Sequence, residues 1–325
     1  MTVKRSGPNA APSPPIVVIG GATGSGKSVL AVSLAEQFSG TIINADSMQI
    51  YEGLRVLTAR PDAAAEAQVP HRLYGARDPA TRCSAGRWRN LAVSEINAAH
   101  AVGRLPLLTG GTGLYFRALL NGLAPVPDIP DAVRHDAVAL FDKIGPQAFH
   151  ARLAALDAES AARLAPTNTQ RVLRAYEVVT ATGRPLPEWQ AVQVEAPEGY
   201  GRAAVKLVVW PARAALYAAI NARVEAMAAT GGLEEAEAFM ARGLSSDVPA
   251  MKAVGLREFA AHVAGEISLD EAVAAAQVAT RRYAKRQMTW FRNQMPDATR
   301  LEGFGADVGA EAAAVLAAAR APQAG

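Results

Sequence analysis

The plainest chemistry in this chain lies in Gly21-Ala22-Thr23-Gly24-Ser25-Gly26-Lys27-Ser28, which has the spacing G-x-x-x-x-G-K-S. Glycines at 21, 24 and 26 let the backbone turn so that its N–H groups converge on one point. Lys27 adds a mobile positive charge, and the Ser28 hydroxyl can ligate a magnesium ion. Such a loop holds the oxygens of a diphosphate or triphosphate. The bland alternative is a glycine-rich turn with a surface lysine, and the flanking elements argue against it.

Ile16-Val17-Val18-Ile19, between Pro15 and Gly20, is a short apolar run that suits a strand covered on both faces. Val29, Leu30, Val32, Leu34 and Phe38 continue the loop as a helix that stops near Gly40. Its start near Lys27 points the positive end of the helix dipole at the loop. A second strand, Thr41 to Ala45, ends at Asp46; a helix from about Leu91 to Ala101 leads through Gly103 to a strand Leu105 to Thr109. This alternation predicts an α/β fold, a P-loop NTPase-like doubly wound parallel sheet with its ligand at the carboxyl ends of the strands. Asp46 is the strand-end carboxylate that would face the phosphate loop. Local sequence alone reads it equally well as a turn or helix cap. The strand ending in Thr109-Gly110-Gly111-Thr112 lacks the acid with which phosphotransferases usually hold a metal.

The pattern changes at Ala124-Pro125-Val126-Pro127-Asp128-Ile129-Pro130. From there to about Trp189 the periodicity is helical; Ala203 to Trp210 reads as another buried strand, with helices to the end. The expected organisation is a disordered leader (1–15), a discontinuous core (16–124 and 200–310), an all-helical insertion domain (125–199) and a tail (311–325). Cys83 is the single cysteine of 325 residues, which excludes an internal disulfide or a cysteine-rich zinc site and fits a reducing, cytoplasmic location. It reads as a neutral or buried thiol. No run approaches the roughly 18 apolar residues a membrane helix needs, so no membrane partner is expected. A net charge of +3 is too small to argue for nucleic acid, but its distribution is uneven. Arg281, Arg282, Lys285, Arg286 and Arg292 share one predicted helix with Tyr283, Trp290 and Phe291. On spacing alone, that helix reads as a solvated basic face over an aromatic core stripe.

Asn44-Ala45-Asp46-Ser47-Met48-Gln49-Ile50-Tyr51 is too specific for an ordinary turn. Together with the phosphate loop it resembles the tRNA dimethylallyltransferase (tRNA isopentenyltransferase) family. The similarity continues in Pro70-His71-Arg72-Leu73, in Gly110-Gly111-Thr112-Gly113-Leu114-Tyr115, and from Asn168 to Val178. It continues again in Thr182-Gly183-Arg184-Pro185, in Val254-Gly255-Leu256-Arg257-Glu258, and from Thr280 to Arg292. These stretches run in family order along nearly the whole chain. With no second cysteine for the zinc finger of eukaryotic relatives, the resemblance is to the bacterial type.

The resemblance implies transfer of a dimethylallyl group from dimethylallyl diphosphate to N6 of the adenine at position 37, just 3′ of the anticodon. The tRNAs would be those reading codons that begin with U. It implies Asp46 as general base, with Thr23 and Arg223 also catalytic. Arg223, in Ile220-Asn221-Ala222-Arg223-Val224, is the best match to the family's diphosphate arginine, ahead of Arg213. Gly21, Ala22, Thr23, Gly24, Ser25, Gly26, Lys27 and Ser28 would hold the diphosphate, with Mg2+ near Ser28. Asp46, Ser47, Met48 and Gln49 would receive the flipped base, and Thr112 would line the channel where base and diphosphate meet. Gln170, Arg171, Val172, Leu173 and Arg174, with Arg134, would meet the anticodon stem-loop, as would Lys252, Arg257, Arg282, Lys285 and Arg286. The protein is expected to be a monomer. Departures from the family pattern are Ala22 and Gly24 in the loop, Arg60 before Pro61, Arg72 in place of histidine, and Asn168 in place of aspartate. Two other readings are a small-molecule kinase using ATP, with Asp46 activating a hydroxyl, and a noncatalytic RNA-binding protein with a relic loop.

Overall fold

A computed structural model of the chain describes residues 15–192 and 199–321. The expected leader, Pro15 apart, lies outside the described residues. Six strands, β1 (Ile16–Gly21), β2 (Gly40–Asn44), β3 (His71–Arg72), β4 (Leu105–Gly110), β5 (Ala204–Val209) and β6 (Thr299–Leu301), form one sheet. Their order is β3-β2-β4-β1-β5-β6, and every pairing is parallel. Helices α1 (Lys27–Gln37), α2 (Ala63–Gln68), α3 (Ala85–Ala101) and α4 (Gly113–Asn121) alternate with the first strands. Then come α5 (Asp131–Leu156), α6 (Ala158–Arg163), α7 (Thr169–Thr182) and α8 (Leu186–Ala191). The chain ends with α9 (Tyr200–Ala203), α10 (Arg213–Ala229), α11 (Gly232–Met240), α12 (Leu256–Val263), α13 (Leu269–Gln294) and α14 (Gly309–Arg320).

The apolar runs become strands because both faces are covered. Val17, Ile19, Leu107 and Leu207 pack against Leu30 and Leu34 of α1 and Leu316 of α14. The alternate residues Val18, Ile43, Leu108 and Val208 point to the other layer, with Trp88 of α3, Phe116 of α4 and Phe291 of α13. The chain builds β2, β3 and β4 on one side of β1 and β5 and β6 on the other, so the strand order reverses there and a crevice opens at its carboxyl end.

One feature departs from the sequence reading. Helices do not run unbroken to the end: β6 adds an edge strand beside β5, with Arg300 at its centre and no apolar run to announce it. The Ala-rich stretch after Val308, expected as a tail in the form of a short helix or a frayed end, is the helix α14, whose Ala312 and Leu316 are fully buried. Alanine is the best helix former and packs closely, so a compositionally bland segment still makes an ordered layer.

Among the described residues the chain divides into two compact units. One takes in residues up to Leu120 and from Gly199 onward; the other runs from Asn121 to Val192. The second unit is helical, with its own core of Phe149, Leu153, Val172, Ala175 and Val179. Its long α5 is broken at Gly145, whose positive φ of 76° precedes Pro146. No helix among the described residues is long and apolar enough to cross a membrane.

Candidate active site

The loop from Gly21 to Ser28 joins β1 to α1 as the spacing requires. Gly26, immediately before α1, has φ 82°, where a side chain is strained; a Cβ there would lie 2.8 Å from the backbone nitrogen of Gly305. Ser25 N–H donates to Ala22 O at 3.2 Å, while Ser25 Oγ is buried without a partner. Lys27 folds over the loop and its Nζ donates to Ala22 O at 3.4 Å. Burial pulls the Lys27 ammonium down to about 8; the Asp46 carboxylate opposes that fall and the Arg223 guanidinium adds to it.

Asp46 follows β2 and is held in an Asx turn. Its N–H donates to Asn44 Oδ1 at 2.8 Å, and its Oδ1 accepts from Met48 N–H at 2.9 Å. Asn44 is fixed in turn: its Nδ2 donates to Asp46 O and Leu73 O, and its carbonyl accepts from Trp88 Nε1 at 2.8 Å. The turn reading of Asp46 therefore describes one carboxylate oxygen. The other accepts no hydrogen bond among the described residues. Ser47 N–H donates to Thr112 Oγ1 at 2.9 Å, which brings the Gly-Gly-Thr loop after β4 against the Asp46 segment.

Arg223, on α10, reaches the same place. Its Nη2 donates to Thr23 Oγ1, its Nε is buried without a partner, and burial lowers its pKa against the pull of Asp46. The weaker candidate Arg213 instead stacks on Tyr217. Thr23, Asp46, Arg223 and Tyr283 form the polar end of a cavity of about 60 Å³. Its apolar walls are Leu57, Val224, Met227, Phe259 and Ala276. Burial, then the Asp46 charge, raise the Tyr283 phenol above the ordinary tyrosine range, so it keeps its proton. Cys83 is partly buried, and burial raises its thiol, which agrees with the neutral reading.

Other expected residues fall into three groups. Met48 lines the cavity, whereas Gln49 spends its amide N–H groups on Thr58 O (2.8 Å) and Ala59 O (3.0 Å). Arg282, Lys285, Arg286 and Thr289 line a groove on the outer face of α13, and Lys252 is an exposed cation near Arg82 and Arg257. In the helical unit, Gln170 and Arg171 are exposed at the start of α7, Arg174 lies 3.5 Å from Glu177, and Arg134 sits 4.0 Å from that carboxylate. Val172 departs from the expectation of RNA contact through its side chain, while Leu173 is half-buried. Val172 is fully buried and Leu173 packs on the same cluster, so their side chains support α7 from within.

Sequence reasoning missed four contributors. Gln287, on the inner face of α13, joins the loops after β1 and β4. Tyr283 was read only as part of an aromatic stripe. Phe259 lines the cavity. Glu235, on α11, accepts from the successive N–H groups of Arg55, Val56 and Leu57 and so fixes the wall carrying Leu57 and Thr58. A polar residue at a buried helical position (Gln287, in step with Ala284 and Phe291) is a signal that would have found the first.

No group of three or more His, Cys, Asp or Glu side chains that could hold a metal occurs among the described residues. The donor that fits a magnesium ion is the Ser28 hydroxyl, which has no hydrogen-bond partner among the described residues. One donor is an incomplete set without a ligand's own oxygens.

The IPP transferase family model matches residues 49–294. A tRNA dimethylallyltransferase from Rhodospirillum centenum is 55% identical over 288 residues, covering 89% of this chain and 91% of that one. Its counterpart from Rhodospirillum rubrum is 52% identical over 292 residues, covering 89% of each. Among solved structures, a tRNA isopentenylpyrophosphate transferase from Bacillus halodurans matches with a TM-score of 0.66 at 33% identity, over 94% of this chain and 96% of that one. A eukaryotic dimethylallyltransferase acting on tRNA shares the fold, with a TM-score of 0.75 at 23% identity, over 92% and 77%. The phosphate loop, the fixed carboxylate and the cavity between them thus sit on a chain that belongs to the IPP transferase family of tRNA dimethylallyltransferases.

Proposed function

We propose that this chain transfers the dimethylallyl group of dimethylallyl diphosphate to N6 of adenine 37 in tRNAs that read codons beginning with U. The observation that carries the reading is one cavity in which a carboxylate oxygen with no hydrogen-bond partner, Thr23 of the phosphate loop and a buried arginine meet apolar walls. The N6 lone pair is delocalised into the adenine ring, so N6 is a poor nucleophile. Asp46 accepts its proton as the N6–C1 bond forms and the bond from C1 to the diphosphate oxygen breaks. Lys27, Arg223 and the loop N–H groups take up the charge that develops on the departing diphosphate. Thr23 orients Arg223, and the walls formed by Val224, Met227, Phe259 and Ala276 suit a five-carbon apolar group while excluding water.

Ser28 would hold Mg2+ together with diphosphate oxygens; when bound, the ion would neutralise leaving-group charge. The base side belongs to Asp46, Ser47, Met48 and Thr112. Lys252, Arg257, Arg282, Lys285 and Arg286 meet the anticodon stem-loop backbone, as do Arg134, Gln170, Arg171 and Arg174 of the helical unit. The protein works as a cytoplasmic monomer. Kinase chemistry is set aside: the relatives are prenyl transferases, and β4 ends without a metal-holding acid.

The test is to incubate the protein with unmodified tRNA, magnesium and radiolabelled dimethylallyl diphosphate and follow label into RNA. Asp46→Ala should lower transfer by about 100-fold or more, the scale of a lost general base, with tRNA affinity nearly intact. An equal collapse of tRNA binding would make Asp46 a recognition residue instead.

A further inference from the structure

Gln287 is a polar residue on the face of α13 that otherwise packs into the sheet, and only 5% of it is exposed. Its two amide atoms are both used. Oε1 accepts from the backbone N–H of Thr23 at 2.8 Å, and Nε2 donates to the carbonyl of Gly111 at 3.0 Å. These partners lie on different loops, one after β1 and one after β4. Each leads to a different half of the site. Thr23 carries the hydroxyl on which Arg223 rests, while Gly111 precedes Thr112, whose Oγ1 accepts from Ser47 beside Asp46. The contact is close enough that a Cβ on Gly111 would collide with the Gln287 amide, and one on Gly113 with Trp290 of the same helix.

Because an amide has one acceptor side and one donor side, this pairing fixes the orientation of Gln287. It also takes the Thr23 N–H out of the loop's set of free donors. Among the described residues, the N–H groups of Gly24, Gly26, Lys27 and Ser28 have no acceptor and stay free for phosphate oxygens. Gln287 is thus the buried polar link between the leaving-group cradle and the carboxylate.

Resting on the transfer reading above, we infer that Gln287 is a positioning residue for the reaction: it sets the separation of Thr23 from the Asp46 segment. Its contribution belongs to the chemical step, not to affinity for either substrate.

The test uses Gln287→Met, which keeps the side-chain length and loses both hydrogen bonds, and Gln287→Glu, which keeps an acceptor for Thr23. The single-turnover rate with saturating anticodon stem-loop and dimethylallyl diphosphate should fall about tenfold or more in Gln287→Met, the scale of one lost buried hydrogen bond. Gln287→Glu should fall between it and wild type. Affinities for the stem-loop and for inorganic pyrophosphate should stay within about twofold. A Gln287→Met rate per folded molecule equal to wild type, even with a lowered melting temperature, would show a structural role only and overturn the proposal. Should Gln287→Met not fold, hydrogen exchange at the Thr23 amide of the wild-type protein decides: protection like that of α1 supports the link, and exchange at open-loop rates overturns it. A wild-type protein that transfers no label defeats the functional reading instead, while Thr23 exchange and pyrophosphate binding still judge the link.

Discussion

Two walls of the cavity are built by different means. The phosphate loop is shaped by its own backbone: Gly21, Gly24 and Gly26 take conformations that other residues resist, and α1 begins where the loop ends. The facing segment from Leu54 to Arg60 has no such local code. Its N–H groups are gathered by Glu235, some 180 residues away, and its carbonyls are held by Gln49. A wall made of backbone is written in consecutive residues, so it can be read from them. A wall stitched by distant side chains exists only once the chain has folded.

The contrast predicts a graded series of effects. Lys27→Ala should weaken inorganic pyrophosphate binding by about 100-fold or more, since it leaves a bound polyanion without its partner; calorimetry measures this. In the wild-type protein that affinity should fall by up to about tenfold per pH unit above pH 8, because burial puts the free Lys27 ammonium at about 8. The same shift has a sign for stability. The unfolded lysine, with its ordinary value of 10.5, binds more protons than the folded one between about pH 8 and 10.5. Stability should therefore rise with pH across that window, and Lys27→Met should remove the rise in urea titrations.

Gly26→Ala comes next. The strained φ and the approach of Gly305 should cost about 1–3 kcal/mol of unfolding free energy, with pyrophosphate affinity falling as well. Glu235→Ala should cost about 1–2 kcal/mol, because the stranded N–H groups are partly exposed. It should raise KM for the RNA while leaving pyrophosphate affinity alone; an equal loss of both would erase the distinction between the walls. Smallest of all, Lys285→Ala should reduce the salt slope of tRNA binding by about one, with little change in rate.

Legibility followed the same division. The strands Ile16 to Gly21 and Leu105 to Gly110 were readable because both faces are buried, and that leaves uninterrupted apolar runs. β3 and β6 were not, since a two- or three-residue edge strand carrying Arg72 or Arg300 has no run to show. Asp46 could be placed at a strand end, but its Asx turn depends on Asn44, whose own geometry depends on Trp88 and Leu73. Gln287 was hidden by its neighbours: next to Arg286, it passes for one more solvated polar residue. The buried and exposed faces of α13 interleave in sequence and separate only in space. Val172 shows the opposite error, a residue inside a recognised segment whose side chain points into the core.

The turn after β6 places Gly305 beside Gly26, and the Gly305 N–H donates to Ser25 O at 3.0 Å. A loop encoded near the start of the chain therefore waits for support encoded near its end. At ribosomal speeds of about 5–20 residues per second, that wait is on the order of tens of seconds. During translation the glycine loop would be exposed without its backing, and a nascent chain should not compete for diphosphates. Acquisition of pyrophosphate binding would then mark the moment when synthesis has passed β6, and a chain stalled before it should remain inert.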